Sequence, residues 1–199
     1  MRYENETASG LMLALGAVQF LGMMMLLEAV APGYSMHDNA ISDLGTIPQT
    51  RLLFNLSLVA IGAMNLVGGL FLFRELRDKV LFSFFLLGSI GAMGAALVPL
   101  DSPVGAHGLF ALIAFLFTNL EIILIAIKLH GSMKVIGFLA GVIGLIFLGL
   151  MVLVDSGSVD VSGSIGHGGA ERMIAYPTLL FLILFGGYLM ARPSLRRVK

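Results

Sequence analysis

The sequence predicts an all-α integral membrane protein, a single bundle of six transmembrane helices over residues 1–199. Three observations lead there. Hydrophobic residues make up 58% of the chain and charged residues 12%, with a mean hydropathy of +0.97, far from the balance of a soluble domain. Six apolar runs, at about 11–31, 52–73, 80–100, 108–127, 135–154 and 173–191, each approach the ~20 residues that a helix needs to cross hydrocarbon. Lysine and arginine divide ten to two between alternate connections.

The first run ends in Ala29-Val30-Ala31, which resembles a signal-peptide cleavage site. A retained span is expected instead: Arg2 is offset by Glu4 and Glu6, the run is longer than a signal core, and Pro32 follows the would-be cut. Lipid offers the backbone no water to bond, so runs of this length are helices. An even number of them puts both termini on one side. That side collects Arg2, Arg74, Arg77, Lys79, Lys128, Lys134, Arg192, Arg196, Arg197 and Lys199, whereas the other has Arg51 and Arg172. The termini are therefore expected in the cytoplasm and the loops at 32–51, 101–107 and 155–172 outside. Within the third span Gly88, Gly91 and Gly94, and within the fifth Gly137, Gly141 and Gly144, read as stripes for close helix packing. Met23-Met24-Met25 reads as core filling. Gln19, Asn65, Asn119 and Glu121 suit interhelical hydrogen bonds, and Glu121, in the inner third of the fourth span, is expected to be either protonated or paired with an interfacial Lys or Arg.

Composition also excludes function classes. Net charge is zero and the only basic run is at the C-terminus, so no nucleic-acid partner is expected. Without cysteine there is no disulfide, thiolate nucleophile or thiolate metal site. A metal, if bound, must sit on imidazoles, carboxylates or carbonyls.

The candidate site is built from the three outer loops. The first holds the polar segment Tyr34–Gly45 with His37, Asp38, Ser42 and Asp43. A short helix over 36–44 ending at Gly45 would place Asp43 at a helix C-terminus, where a carboxylate needs a partner such as Arg172 or a cation. The second loop brings Asp101 and His107; Ser102-Pro103 also reads as a helix start that Asp101 assists. The third brings Asp155, Asp160, His167, Glu171 and Arg172. Asp101-Ser102 and Asp155-Ser156, each followed by a His-Gly pair, hint at duplicated hairpins. Arg172, close to the membrane, calls for a carboxylate (Asp43 or Asp101) or for a lipid headgroup. A solvated loop face explains His37, Asp38 and Asp160. His167 lies among Gly163, Gly166, Gly168 and Gly169, which read either as a mobile linker or as backbone that must approach something closely. Convergence of the loops would let Asp43, Asp101, His107 and His167 hold a divalent cation such as zinc. It would equally let Ser42, Asp43, Asp101 and His107 perform acid–base chemistry beside Glu171 and Arg172, which would bind the substrate.

Ile41-Ser42-Asp43-Leu44-Gly45, Leu53-Phe54-Asn55, the Asp101 to His107 loop and Gly169-Ala170-Glu171-Arg172 together resemble domain-of-unknown-function family 998, small six-span membrane proteins of archaea and bacteria. The resemblance covers most of the chain. It implies a six-helix bundle in a prokaryotic plasma membrane, with shared polar residues at Ser42, Asp43, Asp101, His107, Glu171 and Arg172, and it brings no activity. More distantly, Ser, Asp and His at one membrane face are similar to the seven-span metal-dependent lipid amide hydrolases that include alkaline ceramidases and adiponectin receptors. This chain has one span fewer and lacks their paired late histidines. The expectation is a hydrolase or transferase of the outer leaflet acting on a lipid or lipid-linked substrate. The competing expectation is a non-enzymatic lipid- or ion-binding protein whose polar cluster is structural. Membrane lipids are the expected partners, with a second copy of the chain a further candidate.

Overall fold

The computed structural model describes residues 2–161 and 163–196. Six helices cross the bundle: α1 (Arg2–Val30), α2 (Arg51–Leu76), α3 (Lys79–Leu97), α4 (His107–Ile127), α5 (Gly131–Asp155) and α6 (Gly166–Arg196), with one 3₁₀ turn, Ile41–Gly45, between α1 and α2. Each has a stretch long and apolar enough to span a bilayer. Every helix packs on its neighbours in the chain, and α6 returns to α1 and also touches α4, so the six close into a ring. Of the charges behind the expected orientation, Arg197 and Lys199 lie outside the described residues, as do the side chains of Arg2, Arg192 and Arg196.

The ends of the helices differ from the apolar runs for local reasons. α3 stops at Leu97 because Val98, with φ −120° and ψ 78°, is held extended by Pro99. α6 begins at Gly166 rather than near 173, so Glu171 and Arg172 stand on its second turn instead of at its tip. At the opposite end of the bundle Asp78 caps α3, its carboxylate accepting the Leu81 N–H at 3.0 Å and pairing with Lys128 at 2.6 Å. These two contacts, the backbone one first, hold its carboxyl below the usual aspartate range. Asp78→Ala is expected to cost about 1 kcal/mol. A depressed carboxyl stabilises in its charged form, so the difference should be complete above the ordinary aspartate range and shrink as pH falls through the lowered value. Thermal melts of both proteins against pH check this; a gap that does not close in acid would contradict it.

The interior is apolar, from Leu13, Ala17, Phe20 and Met24 on α1 to Phe85 on α3 and Phe181 and Phe185 on α6. Met24 is buried while Met25 faces outward at 70% exposure, so the methionine run is divided between core and lipid. The polar residues inside the spans pair across helices, as lipid demands. Gln19 bonds Ser57, Thr178 donates to Asn119 Oδ1 at 2.8 Å, and Asn65 donates to Glu121 Oε2 at 3.0 Å. The Glu121 partner is thus an amide on α2, with no Lys or Arg beside it among the described residues.

Candidate functional site

The loops at 32–51 and 155–172 and the start of α4 meet at one end of the ring, where consecutive residues of α6 separate two arrangements. Arg172 faces the first. Its Nε and Nη2 donate to Glu28 Oε1 at 3.2 and 2.7 Å, Nη2 also reaches the Tyr34 hydroxyl, and Nη1 donates to the carbonyls of Met36 and Asn39 (3.1 Å each) and Gly168 (2.7 Å). Both side chains of the Glu28–Arg172 pair are only 6% exposed. Every donor nitrogen is engaged, so no part of the fork is free for a headgroup. Tyr34 in turn donates to the Ala40 carbonyl at 2.9 Å. Burial, opposed by the Arg172 charge, pushes its hydroxyl up to about 12, which keeps it a neutral donor.

Of the glycines around His167, Gly166 and Gly168 are explained by close approach, whereas a Cβ at Gly163 would meet nothing and one at Gly169 only the Ile165 side chain. Gly168 N–H donates to the His37 carbonyl at 2.9 Å, and a Cβ at Gly168 would run into the carbonyls of Asn39 and Met36. Gly166 has φ +69°, and a Cβ there would strike the His37 backbone. The first loop lies directly on these residues. His37 itself is exposed and bonded to Asp38 at 2.7 Å, a contact that raises the imidazole and lowers the carboxyl.

Glu171 faces the second arrangement, a cleft of about 580 Å³. Its mouth carries Ser42, Asp43, His107, Asp155, His167 and Glu171; its floor is Ala111, Leu112, Phe115, Leu148, Met151, Val152 and Ile174. Leu112 and Val152 are 40% and 53% exposed on the lipid-facing side, so the cleft lies against the membrane. A deeper apolar cavity of about 90 Å³ shares Phe115 and has no ionisable residue in its wall.

Within the cleft the carboxylates and imidazoles are held by specific contacts. The 3₁₀ turn starts after Ala40, so Asp43 stands in its first turn and not at a helix C-terminus: Asp43 Oδ2 accepts from the Ala40 N–H at 3.0 Å and from Asn39 Nδ2 at 3.1 Å. Its need for a partner is met by backbone and amide, with Oδ1 left without a donor among the described residues. Glu171 is buried, and its Oε2 accepts the Ile41 N–H of the same turn. Asp43 and His167 are within electrostatic range of it. His107, 6% exposed, places Nδ1 against the carbonyls of Ala95 (3.1 Å) and Val98 (2.9 Å). Two acceptors require Nδ1 to carry hydrogen, which leaves Nε2 as a bare lone pair in the neutral ring. Asp155 and His167 pair at 3.2 Å.

Asp101 is not in the cleft. It pairs with Arg51 at 2.8 Å, both about half exposed. The hinted duplication therefore fails at the level of contacts, since Asp155 meets His167 but Asp101 does not meet His107. Among the described residues no three His, Asp or Glu side chains come together as a metal site. The donor set expected for zinc, Asp43, Asp101, His107 and His167, is thus not assembled, because Asp101 turns away to Arg51.

A family model described as protein of unknown function (DUF998) matches residues 14–188. The chain belongs to the DUF998 family. No curated protein and no solved structure matches it. The six residues that the DUF998 resemblance emphasises divide three ways in space. Ser42, Asp43, His107 and Glu171 line the cleft, Arg172 is locked in the loop cradle, and Asp101 is on the rim with Arg51. Glu28, Tyr34 and Asn39 complete the cradle and were not expected as partners of Arg172. The signal for Glu28 was present as an ionisable residue one turn below the end of the first apolar run.

Proposed function

We propose that the protein is a membrane-embedded hydrolase or transferase that acts by acid–base chemistry on a lipid or lipid-linked substrate at the outer leaflet. The observation that carries the reading is a cleft with a polar mouth and an apolar floor at the membrane boundary, into which a buried imidazole offers a bare Nε2. A lipid is the kind of molecule that matches both halves. His107 Nε2 accepts the proton of an attacking water or of the Ser42 hydroxyl, and the Val98 and Ala95 carbonyls hold the imidazolium that results. Ala106, the N-cap of α4, makes no side-chain cap bond, so the first-turn N–H groups at His107 and Gly108 are at hand for developing negative charge. Arg172 has a different part in this reading: it fixes the loop that carries Ser42 and Asp43.

The test uses the purified protein in liposomes of prokaryotic total lipid extract, with released headgroups and fatty acids followed by mass spectrometry. His107→Gln is expected to reduce turnover by about a hundredfold or more while the melting temperature stays within a few degrees. Equal turnover in His107→Gln, or none in the wild type, would sink the enzymatic reading and leave the lipid-binding alternative, for which the fully bonded Arg172 cradle provides the structural half.

A further inference from the structure

Among the described residues the ionisable side chains lining the cleft are three carboxylates, Asp43, Asp155 and Glu171, and two imidazoles, His107 and His167, with no lysine or arginine. The two guanidiniums at this end of the bundle are committed elsewhere, Arg172 to Glu28 and three carbonyls, Arg51 to Asp101. The mouth is therefore acidic in composition, and with His167 paired to Asp155 the Asp43 carboxylate still has no cation of the protein beside it. Two side chains more than nine-tenths buried present unpartnered atoms here. Glu171 uses only Oε2, toward Ile41, and His107 uses only Nδ1. Both spare atoms are acceptors, as is Asp43 Oδ1.

We propose that the cleft selects lipids whose headgroup carries a primary ammonium, which docks between Asp43 and Glu171 and leaves His107 Nε2 to the nucleophile, while an acyl chain lies along Phe115, Leu148 and Ile174. This rests on the reading of the cleft as a lipid site and adds the substrate class. A primary ammonium brings three N–H donors to a site of spare acceptors. A quaternary ammonium has the charge without the donors, and no aromatic cage surrounds this mouth to receive it. An anionic headgroup without an amine meets like charge and no basic partner.

Native mass spectrometry of the protein from detergent micelles, titrated with phosphatidylethanolamine, phosphatidylcholine and phosphatidylglycerol of identical acyl chains, tests the assignment. Phosphatidylethanolamine is expected to be retained about tenfold more tightly than phosphatidylglycerol, with phosphatidylcholine between them. Asp43→Asn should lose most of that preference. Asp155→Arg, on an exposed position whose carboxylate supports no helix contact beyond His167, should shift the preference toward phosphatidylglycerol even if an Asp43 variant fails to fold. Phosphatidylglycerol held as well as phosphatidylethanolamine by the wild type, or a preference unmoved by either variant, would overturn it. Amine selectivity without turnover would defeat the enzymatic reading alone, and turnover of an amine-free anionic lipid would defeat the selectivity alone.

Discussion

Arg172→Ala is expected to lower stability by about 3–5 kcal/mol. The change removes one cation and strands a buried carboxylate, a partly buried phenol and two loop carbonyls. Glu28 loses both of its bonds, the Tyr34 hydroxyl loses a donor, and the Met36 and Asn39 carbonyls lose their bond to the guanidinium, while Gly168, inside α6, keeps its helical partner. Stranding a buried charge costs far more than an exposed pair contributes, which is about 0–1 kcal/mol. Arg172→Lys should recover little, because a single ammonium cannot serve the carboxylate and three divergent carbonyls that the planar fork reaches together. Removing both charges, as in Glu28→Gln with Arg172→Met, should cost less than the sum of the separate changes, since neither is then left unpaired. Chemical denaturation in detergent measures the losses, and amide exchange over 34–45 should report local loosening. A loss below about 1 kcal/mol for Arg172→Ala would show that the cradle behaves like a surface pair.

This cradle also fixes the segment that lines the cleft. Arg172 grips the carbonyls of residues 36 and 39 from one face of α6, and Glu171, one residue earlier, accepts the Ile41 N–H from another. From the last of those anchors the chain makes its 3₁₀ turn and presents Ser42 and Asp43 to the cleft. The two readings of the polar cluster thus describe successive stretches of one loop, the first fixing the position of the second.

What the sequence made legible follows from the range of each interaction. Helices in lipid are governed by local hydropathy, so all six were readable, and errors fell at their ends. There, Pro99 cut α3 short, and α6 begins at Gly166, ahead of its apolar run, among glycines and charged residues that hydropathy does not register. Asp43 was misplaced because its role depends on whether a turn begins or ends beside it, a difference of three residues that no apolar periodicity reveals. Glu28 and Arg172 lie 144 positions apart, and their pairing requires knowing that α6 closes against α1. Asp101 and His107, six residues apart, were grouped by proximity in the chain, yet one turns to Arg51 and the other into the bundle. The glycine stripe on α3 was the opposite case, because the absence of a side chain is meaningful at whatever helix it meets.

That stripe carries the second large effect. Gly88, Gly91 and Gly94 occupy one face of α3, and a Cβ on them would meet Thr118, Ala114 and Phe110, successive turns of α4. At Gly88 the nearest atom is the Thr118 methyl and at Gly94 the Phe110 ring, side chains with some freedom to turn. At Gly91 the nearest atoms are the Ala114 backbone N and Cα and the Phe110 carbonyl, so nothing short of separating two helices makes room. Gly91→Ala is therefore expected to destabilise even though alanine favours a helix by about 1 kcal/mol. Gly91→Leu should exceed the ~1–3 kcal/mol of ordinary overpacking and prevent α3 from seating. Gly149, with nothing within 4 Å of a Cβ, is the matched control, and Gly149→Ala should be neutral or slightly stabilising. Melting temperatures of the three variants, with a cysteine pair introduced across the α3–α4 seam to report its closure by crosslinking, decide the matter. If Gly91→Ala melts with Gly149→Ala, the two backbones are not in the contact that sets the position of His107 at the head of α4.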